Sequence, residues 1–263
     1  MRAILAPKEH PETSTGGFMQ AKNVDAGRGL EWYGDGWRVF MHNPGIWIAL
    51  IVIYAVIFIV LSFIPFIGSL ALSLIAPALV GGLIYSAREA VESRPLDVAH
   101  LFVGLTDPDK RVPLLILGAV CVAATLIMLF VFTGSVGAGF LLGTGSGQEA
   151  QLVGGGMGAL FGLLLTLLIA LALTTALLYA IPLVMFADAE PVVAMKASIE
   201  AVLKNWVPLL LFGVIYIILA FIAMLPIFLG FLVLGPVTIG AVYMSYRDIF
   251  GDDSSAEEVA TPA

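Results

Sequence analysis

Cysteine is almost missing from this 263-residue chain: Cys121 is the only one, and it stands inside an apolar run. That excludes a disulfide framework and a cysteine-based metal cluster. Histidine is nearly as scarce, and His10, His42 and His100 fall on a tail and two separate polar links, with no H-E-x-x-H or other ligand spacing. There is no G-x-S-x-G and no phosphate-cradling P-loop, so two common routes to hydrolase and nucleotide chemistry are absent. Charge is thin as well, at 12% of residues against 60% hydrophobic, with a mean hydropathy of +1.04. A soluble domain of this composition would aggregate, so the sequence predicts an integral membrane protein. The formal net charge of −7 sits in loops and tails and says little about a partner. Nothing suggests nucleic acid, and no cofactor is expected.

The first apolar stretch begins near residue 46, too far in for a secretory signal peptide. A helix needs about 20 apolar residues to cross ~30 Å of hydrocarbon. Six stretches qualify, residues 45–64, 69–87, 112–133, 157–187, 207–225 and 228–246, and none holds an acidic or basic residue. The expected fold class is therefore all-α, a polytopic protein with six transmembrane helices in one domain, residues 19–250. The turns Ile64-Pro65-Phe66-Ile67-Gly68 and Leu225-Pro226-Ile227 are short enough to make helical hairpins of the first and last pairs. Spans three and four are joined by a Gly-rich segment, "TGSVGAGFLLGTGSGQEAQLVGGGMG", read as a link. The fourth span exceeds the bilayer thickness and is expected to tilt or to extend beyond it. All twelve Lys and Arg fall on the side that carries both termini, which places both ends in the cytoplasm by the positive-inside rule.

A shift of 162 residues aligns Leu30, Tyr33, Trp37, Phe40 and Met41 with Val192, Met195, Ile199, Val202 and Leu203, all apolar, and Asn43 with Asn205. The spacing is the stripe of an amphipathic helix. It predicts interfacial helices at 27–43 and 191–205, with a third, weaker one at 96–105, each preceding a hairpin, so that one elbow-plus-hairpin unit recurs two or three times. "GWRVFMHNPGIWIAL", rich in reactive-looking side chains, then reads as the elbow by which the chain enters the membrane. Pro44 suits the break, and Asn43 and Asn205 stand where they can cap the following spans. Trp32, Trp37, Arg38, Trp47, Arg88, Trp206 and Arg247 are the expected anchors at the headgroup level.

Pro77 and Pro236 interrupt equivalent spans, each followed four residues later by glycine, Gly81 and Gly240. With Tyr85 they form a candidate central crevice, because matched Pro/Gly interruptions in repeated units point to a transporter's central site; the bland alternative is a packing kink. Tyr54, Tyr216 and Tyr179 are further candidates for a polar lining between repeats, or for packed positions. Gly154, Gly158 and Gly162 make two G-x-x-x-G steps that predict close helix packing, within one chain or between chains. Asp107, Asp109, Asp188 and Glu190 read as turn and cap residues. Residues 1–18 and 251–263 read as polar, disordered cytoplasmic tails, and Met19 as a candidate start that N-terminal sequencing would test.

The stretches "AGRGLEWYGDGWRVFMHNPGIWI", "LIAPALVGGLIYSAREA", "LDVAHLFVGL" and "GPVTIGAVYMSYRDIF" resemble a family of uncharacterised proteobacterial inner-membrane proteins with six predicted spans. More remotely, the elbow-plus-hairpin layout is similar to the membrane domain attached to some bacterial glycerophosphodiester phosphodiesterases. The resemblance implies a location in the bacterial cytoplasmic membrane and carries over no activity and no catalytic residue. The phosphodiesterase barrel and its metal-binding carboxylates are absent. The expected role is a non-enzymatic scaffold or a lipid- or partner-binding protein, with membrane lipids, other membrane proteins or a second copy as partners. The alternative is a small transporter or permease subunit for an uncharged or amphiphilic solute.

Overall fold

The computed structural model of the chain describes residues 21–142 and 148–251, so the tails and the candidate start at Met19 lie outside the described residues. The described chain is all-helical. Helix α1 spans Arg28–His42, α2 Pro44–Ser62 and α3 Ile67–Val91. A 3₁₀ turn, Val98–Phe102, runs into the short α4, Val103–Thr106. Then come α5, Pro108–Leu142; α6, Gln148–Leu177; α7, Ala180–Ala187; α8, Pro191–Lys204; α9, Trp206–Met224; and α10, Phe231–Phe250.

Among the described residues, five helical stretches are long and apolar enough to cross a membrane: Pro44–Ser62, Ile67–Val91, Pro108–Leu141, Glu149–Ala187 and Trp206–Met224. The expected sixth, now α10, is not among them. Its 20 residues include Gly235, Pro236, Thr238, Gly240, Arg247 and Asp248, and the charged pair at its end lowers its apolarity.

The sequence reading also needs correcting in the middle of the chain. The Gly-rich segment is no loop over most of its length, since α5 runs on to Leu142 and α6 begins at Gln148. Glycine weakens an isolated helix, but here it lets two helices touch. A Cβ at Gly139 would lie 2.2 Å from the Gly154 carbonyl oxygen, and one at Gly158 2.2 Å from that of Ser135. Close contact of this kind repays the poor propensity.

The fourth span is not one continuous helix. Pro182 has no N–H to return to Leu178, and α6 gives way to α7 at that point. Ser198 of α8 fills the broken turn: its hydroxyl accepts from the Tyr179 N–H at 3.0 Å and donates to the Thr175 carbonyl at 2.7 Å. A side chain inserted into the helical ladder in this way satisfies two of the backbone groups that the break exposes.

At the first elbow, Asn43 is extended at φ −154°, its side chain accepts from the Ile46 N–H at 3.3 Å, and Pro44 occupies the first helical position. Asn205 acts differently and makes no side-chain cap to α9. Its amide donates to the Lys22 and Ala201 carbonyls and its oxygen accepts from the Val24 N–H, binding the segment that leads into α1.

Helices α2 and α9 each have 19 residues and are offset by 162 at both ends. Their hairpin turns contain Phe66 at φ 60° and Phe228 at φ 63°, positive φ values at residues that are not glycine. Two positions on, Gly68 and Gly230 press against Leu61 and Ala223, where a Cβ would come within 1.7 and 2.4 Å of backbone. The core is built on α3, α7 and α10. Phe186 of α7 meets the rings of Tyr243 and Tyr246 on α10, and the Tyr179 hydroxyl shares a 3.1 Å hydrogen bond with Ser245. Helix α1 lies across α9 and α10, with Trp32, Tyr33, Gly36, Val39 and Phe40 buried.

Candidate functional site

The proline-glycine positions are packed contacts and line no cavity themselves, although their neighbours Val80, Leu83, Gly235 and Ile239 do. Pro77, Gly81, Pro236 and Gly240 are all buried. A Cβ on Gly81 would meet Met185 of α7 at 3.2 Å, and one on Gly240 would meet Val39 of α1 at 2.9 Å. Tyr85 is half-buried, and its ring meets the edge of His100 at 5.2 Å between centroids. These positions thus serve helix packing, which sequence alone could not separate from a crevice because both want proline and glycine.

The expected anchors divide. Trp37, Trp206, Arg38 and Arg247 are exposed, in line with contact to headgroups. Trp32 and Trp47 are wholly buried, which removes them from that role. Trp47 donates its indole N–H to the Val39 carbonyl at 3.1 Å and so locks the elbow. Arg88 is half-buried, pairs with Glu92 at 2.9 Å and lies 5.2 Å over the Phe186 ring, so it is an internal link as much as an anchor.

Trp32 belongs to an arrangement that sequence reasoning did not single out. Asp248, at the end of α10, accepts from Trp32 Nε1 at 2.7 Å and from Arg28 Nε and Nη2 at 2.8 and 2.5 Å. Arg28 also meets Glu31 at 2.5 Å and Asp35 at 3.3 Å. Partial burial pulls the guanidinium pKa down, but its hydrogen bonds to Glu31 and Asp248 and the fields of Asp248 and Asp35 outweigh it and push the pKa up. Arg28 therefore stays charged, and this cluster clasps α1 to α10.

The G-x-x-x-G steps join α5 and α6 of the same chain: Gly158 and Gly162 meet Ser135, and the Gly154 carbonyl meets Gly139. Beside this seam an apolar groove of about 970 Å³ is lined by Phe130, Gly134, Ala138, Val153, Met157 and Phe161, with exposed Glu149 at its rim.

A second cavity, of about 210 Å³, lies among α2, α3, α9 and α10. It brings together Tyr54 and Tyr216, the tyrosines that the 162-residue shift aligns, and adds Thr238. Thr238 Oγ1 is buried without a hydrogen-bond partner. Thr238 was not marked in the sequence, where a lone threonine in an apolar run has no signal of its own.

The remaining polar candidates are engaged locally or exposed. His42 is exposed at the end of α1, and His100 takes part in a capping box with Asp97. Asp107 accepts from the Asp109 N–H at 2.9 Å, and Asp188 pairs with Lys110. Among the described residues, no three His, Cys, Asp or Glu side chains could jointly hold a metal ion.

A family model described as Domain of unknown function (DUF7847) matches residues 31–259. No curated protein and no solved structure matches the chain. The remote likeness to the membrane domain of glycerophosphodiester phosphodiesterases finds no support in these comparisons.

Proposed function

We propose, for a chain that belongs to the family described as Domain of unknown function (DUF7847), a non-enzymatic role in the membrane as a scaffold that binds lipid or a membrane partner. The observation that carries this reading is where apolar surface is closed and where it is open. Pro77 and Pro236 are buried beside a cavity of only about 210 Å³, whereas the α5–α6 groove is about 970 Å³ and faces outward. Transport through the middle would want the reverse.

The finer features follow from the same reading. The chain crosses six times, with α10 as the sixth span carried inside the bundle, and both termini are in the cytoplasm of a bacterial inner membrane. The elbow and hairpin form a repeat. Supporting this, Leu30, Trp37 and Met41 are exposed on α1, and so are their counterparts Val192, Ile199 and Leu203 on α8. The opposite faces of both helices pack on protein, so these apolar rows are free to lie on lipid at the interface.

Affinity purification from native membranes, with lipid and protein identification, tests the reading. Stoichiometric lipid or a specific membrane partner is expected. Saturable solute uptake by proteoliposomes, with no retained lipid or partner, would overturn it.

A further inference from the structure

Tyr54 is the eleventh residue of α2, and Tyr216 is the eleventh of α9. At 1.5 Å per residue both lie ~15 Å from the cytoplasmic ends of their helices, near the middle of a ~30 Å hydrocarbon core. Thr238 precedes Arg247 by nine residues on α10, which sets it ~13 Å from the same side. Three hydroxyl-bearing residues from three helices therefore line one cavity at similar backbone depths.

None of the three has a hydrogen-bond partner among the described residues, and Thr238 Oγ1 is buried as well. Water does not serve such groups at the bilayer centre, and polar groups left there are costly. The backbone adds an acceptor close by. Pro236 has no N–H, so the Leu232 carbonyl one turn earlier loses its helical partner, next to cavity residues Phe231 and Gly235. The other walls are apolar, and no charged side chain lines the cavity. Tyr216 is 38% exposed, so the opening is sideways, toward lipid. An apolar cavity of about 150 Å³ takes up benzene, so this volume suits one ring or one short chain end.

We infer that the crevice of Tyr54, Tyr216 and Thr238 binds an uncharged lipophilic molecule by a single hydroxyl or carbonyl held at mid-membrane depth. The ligand enters from the lipid, its polar atom meets the three hydroxyls, and its apolar remainder fills the space between α2, α3, α9 and α10. A charged headgroup is excluded by the depth and by the absence of a counter-charge in the lining. This deepens the lipid-binding reading above and rests on it.

The test uses the full chain in lipid nanodiscs and two diazirine probes of equal length, a ten-carbon alcohol and a ten-carbon alkane, with labelled sites read by peptide mass spectrometry. The alcohol is expected to label peptides around Tyr54, Tyr216 and Thr238 saturably, in competition with unlabelled decanol, while the alkane labels lipid-facing residues evenly. Tyr54→Phe with Tyr216→Phe, and separately Thr238→Val, should cut that labelling about tenfold, with thermal melting of each variant measured alongside. Thr238→Val keeps the side-chain shape, so loss of labelling with melting unchanged speaks for the hydroxyl itself. Equal labelling by both probes, or labelling unchanged in the hydroxyl-less variants, overturns the inference. Alcohol labelling confined to the α5–α6 groove also overturns it, yet leaves the broader lipid-binding reading standing.

Discussion

The Asp248 carboxylate accepts the indole N–H of Trp32 at 2.7 Å, across 216 positions of sequence. Trp32 is wholly buried, so no water replaces that acceptor if it is lost. Arg28 shares the same oxygen. Asp248→Ala is expected to cost about 1–3 kcal/mol by leaving the buried indole N–H without an acceptor, while Arg28 keeps Glu31 and Asp35. Asp248→Asn, which still offers an oxygen to the indole, should cost about half as much. Reversible unfolding of the purified protein in mixed micelles measures both.

Helix α1 seats on α10 through two facing glycines, Gly36 and Gly240, of which Gly36 has the tighter backbone contacts. A Cβ at Gly36 would fall 2.2 Å from the Val237 carbonyl oxygen and 2.8 Å from the Ala241 nitrogen, both backbone atoms that cannot swing aside. Gly36→Ala should therefore force the helices apart and lose about 1–3 kcal/mol. Gly34 lies on the same helix with nothing within 4 Å of an added Cβ. Gly34→Ala should be neutral or gain up to ~1 kcal/mol through helix propensity. Opposite signs two residues apart, read by thermal melting in detergent, are the expected result.

Much of the fold was legible because its signals are local. Asn43-Pro44 marked the first elbow, and charge-free runs of membrane length marked five spans. What sequence could not supply is the direction each residue faces once helices pack. Trp32 and Trp37 are five residues apart on one helix, and the first is buried while the second is 49% exposed. The Gly-rich stretch looked like a loop because propensity counts the weakness of glycine and ignores the approach of Gly139 to Gly158. The 162-residue shift aligned Tyr54 with Tyr216 but could not show that both face one cavity with Thr238.

Helix α10 falls short in apolarity because its last turns carry Arg247 and Asp248, yet Leu234, Val237, Gly240, Ala241 and Tyr243 on it are buried against other helices. A helix surrounded by protein need not satisfy lipid along its whole length. It is expected to cross. In a Cys121→Ser background, cysteines introduced at Glu92 and Gly251 should react with an impermeant maleimide only from the cytoplasmic side, and those at Phe66 and Leu229 only from outside. Labelling of Gly251→Cys from outside would leave the chain with five crossings.

The α5–α6 groove can be filled from within. In hydrocarbon no hydrophobic force closes such a gap, and atoms lining an empty one lose dispersion contacts on one side. A groove of about 970 Å³ open to the bilayer is therefore expected to hold lipid chains in the resting protein. Gly134 lines it and has nothing within 4 Å of an added Cβ, so a large side chain fits there without disturbing the hairpin. Gly137 is equally free of neighbours but is not part of the lining, which makes it the matched control. Gly134→Trp should lower the number of lipids retained in native mass spectrometry while leaving the melting temperature within a few degrees of the parent. Gly137→Trp adds the same bulk outside the groove and should leave lipid retention unchanged. Equal retention in the two variants would mean that lipid held by this chain sits elsewhere, and the crevice between Tyr54 and Tyr216 would then be the place to look.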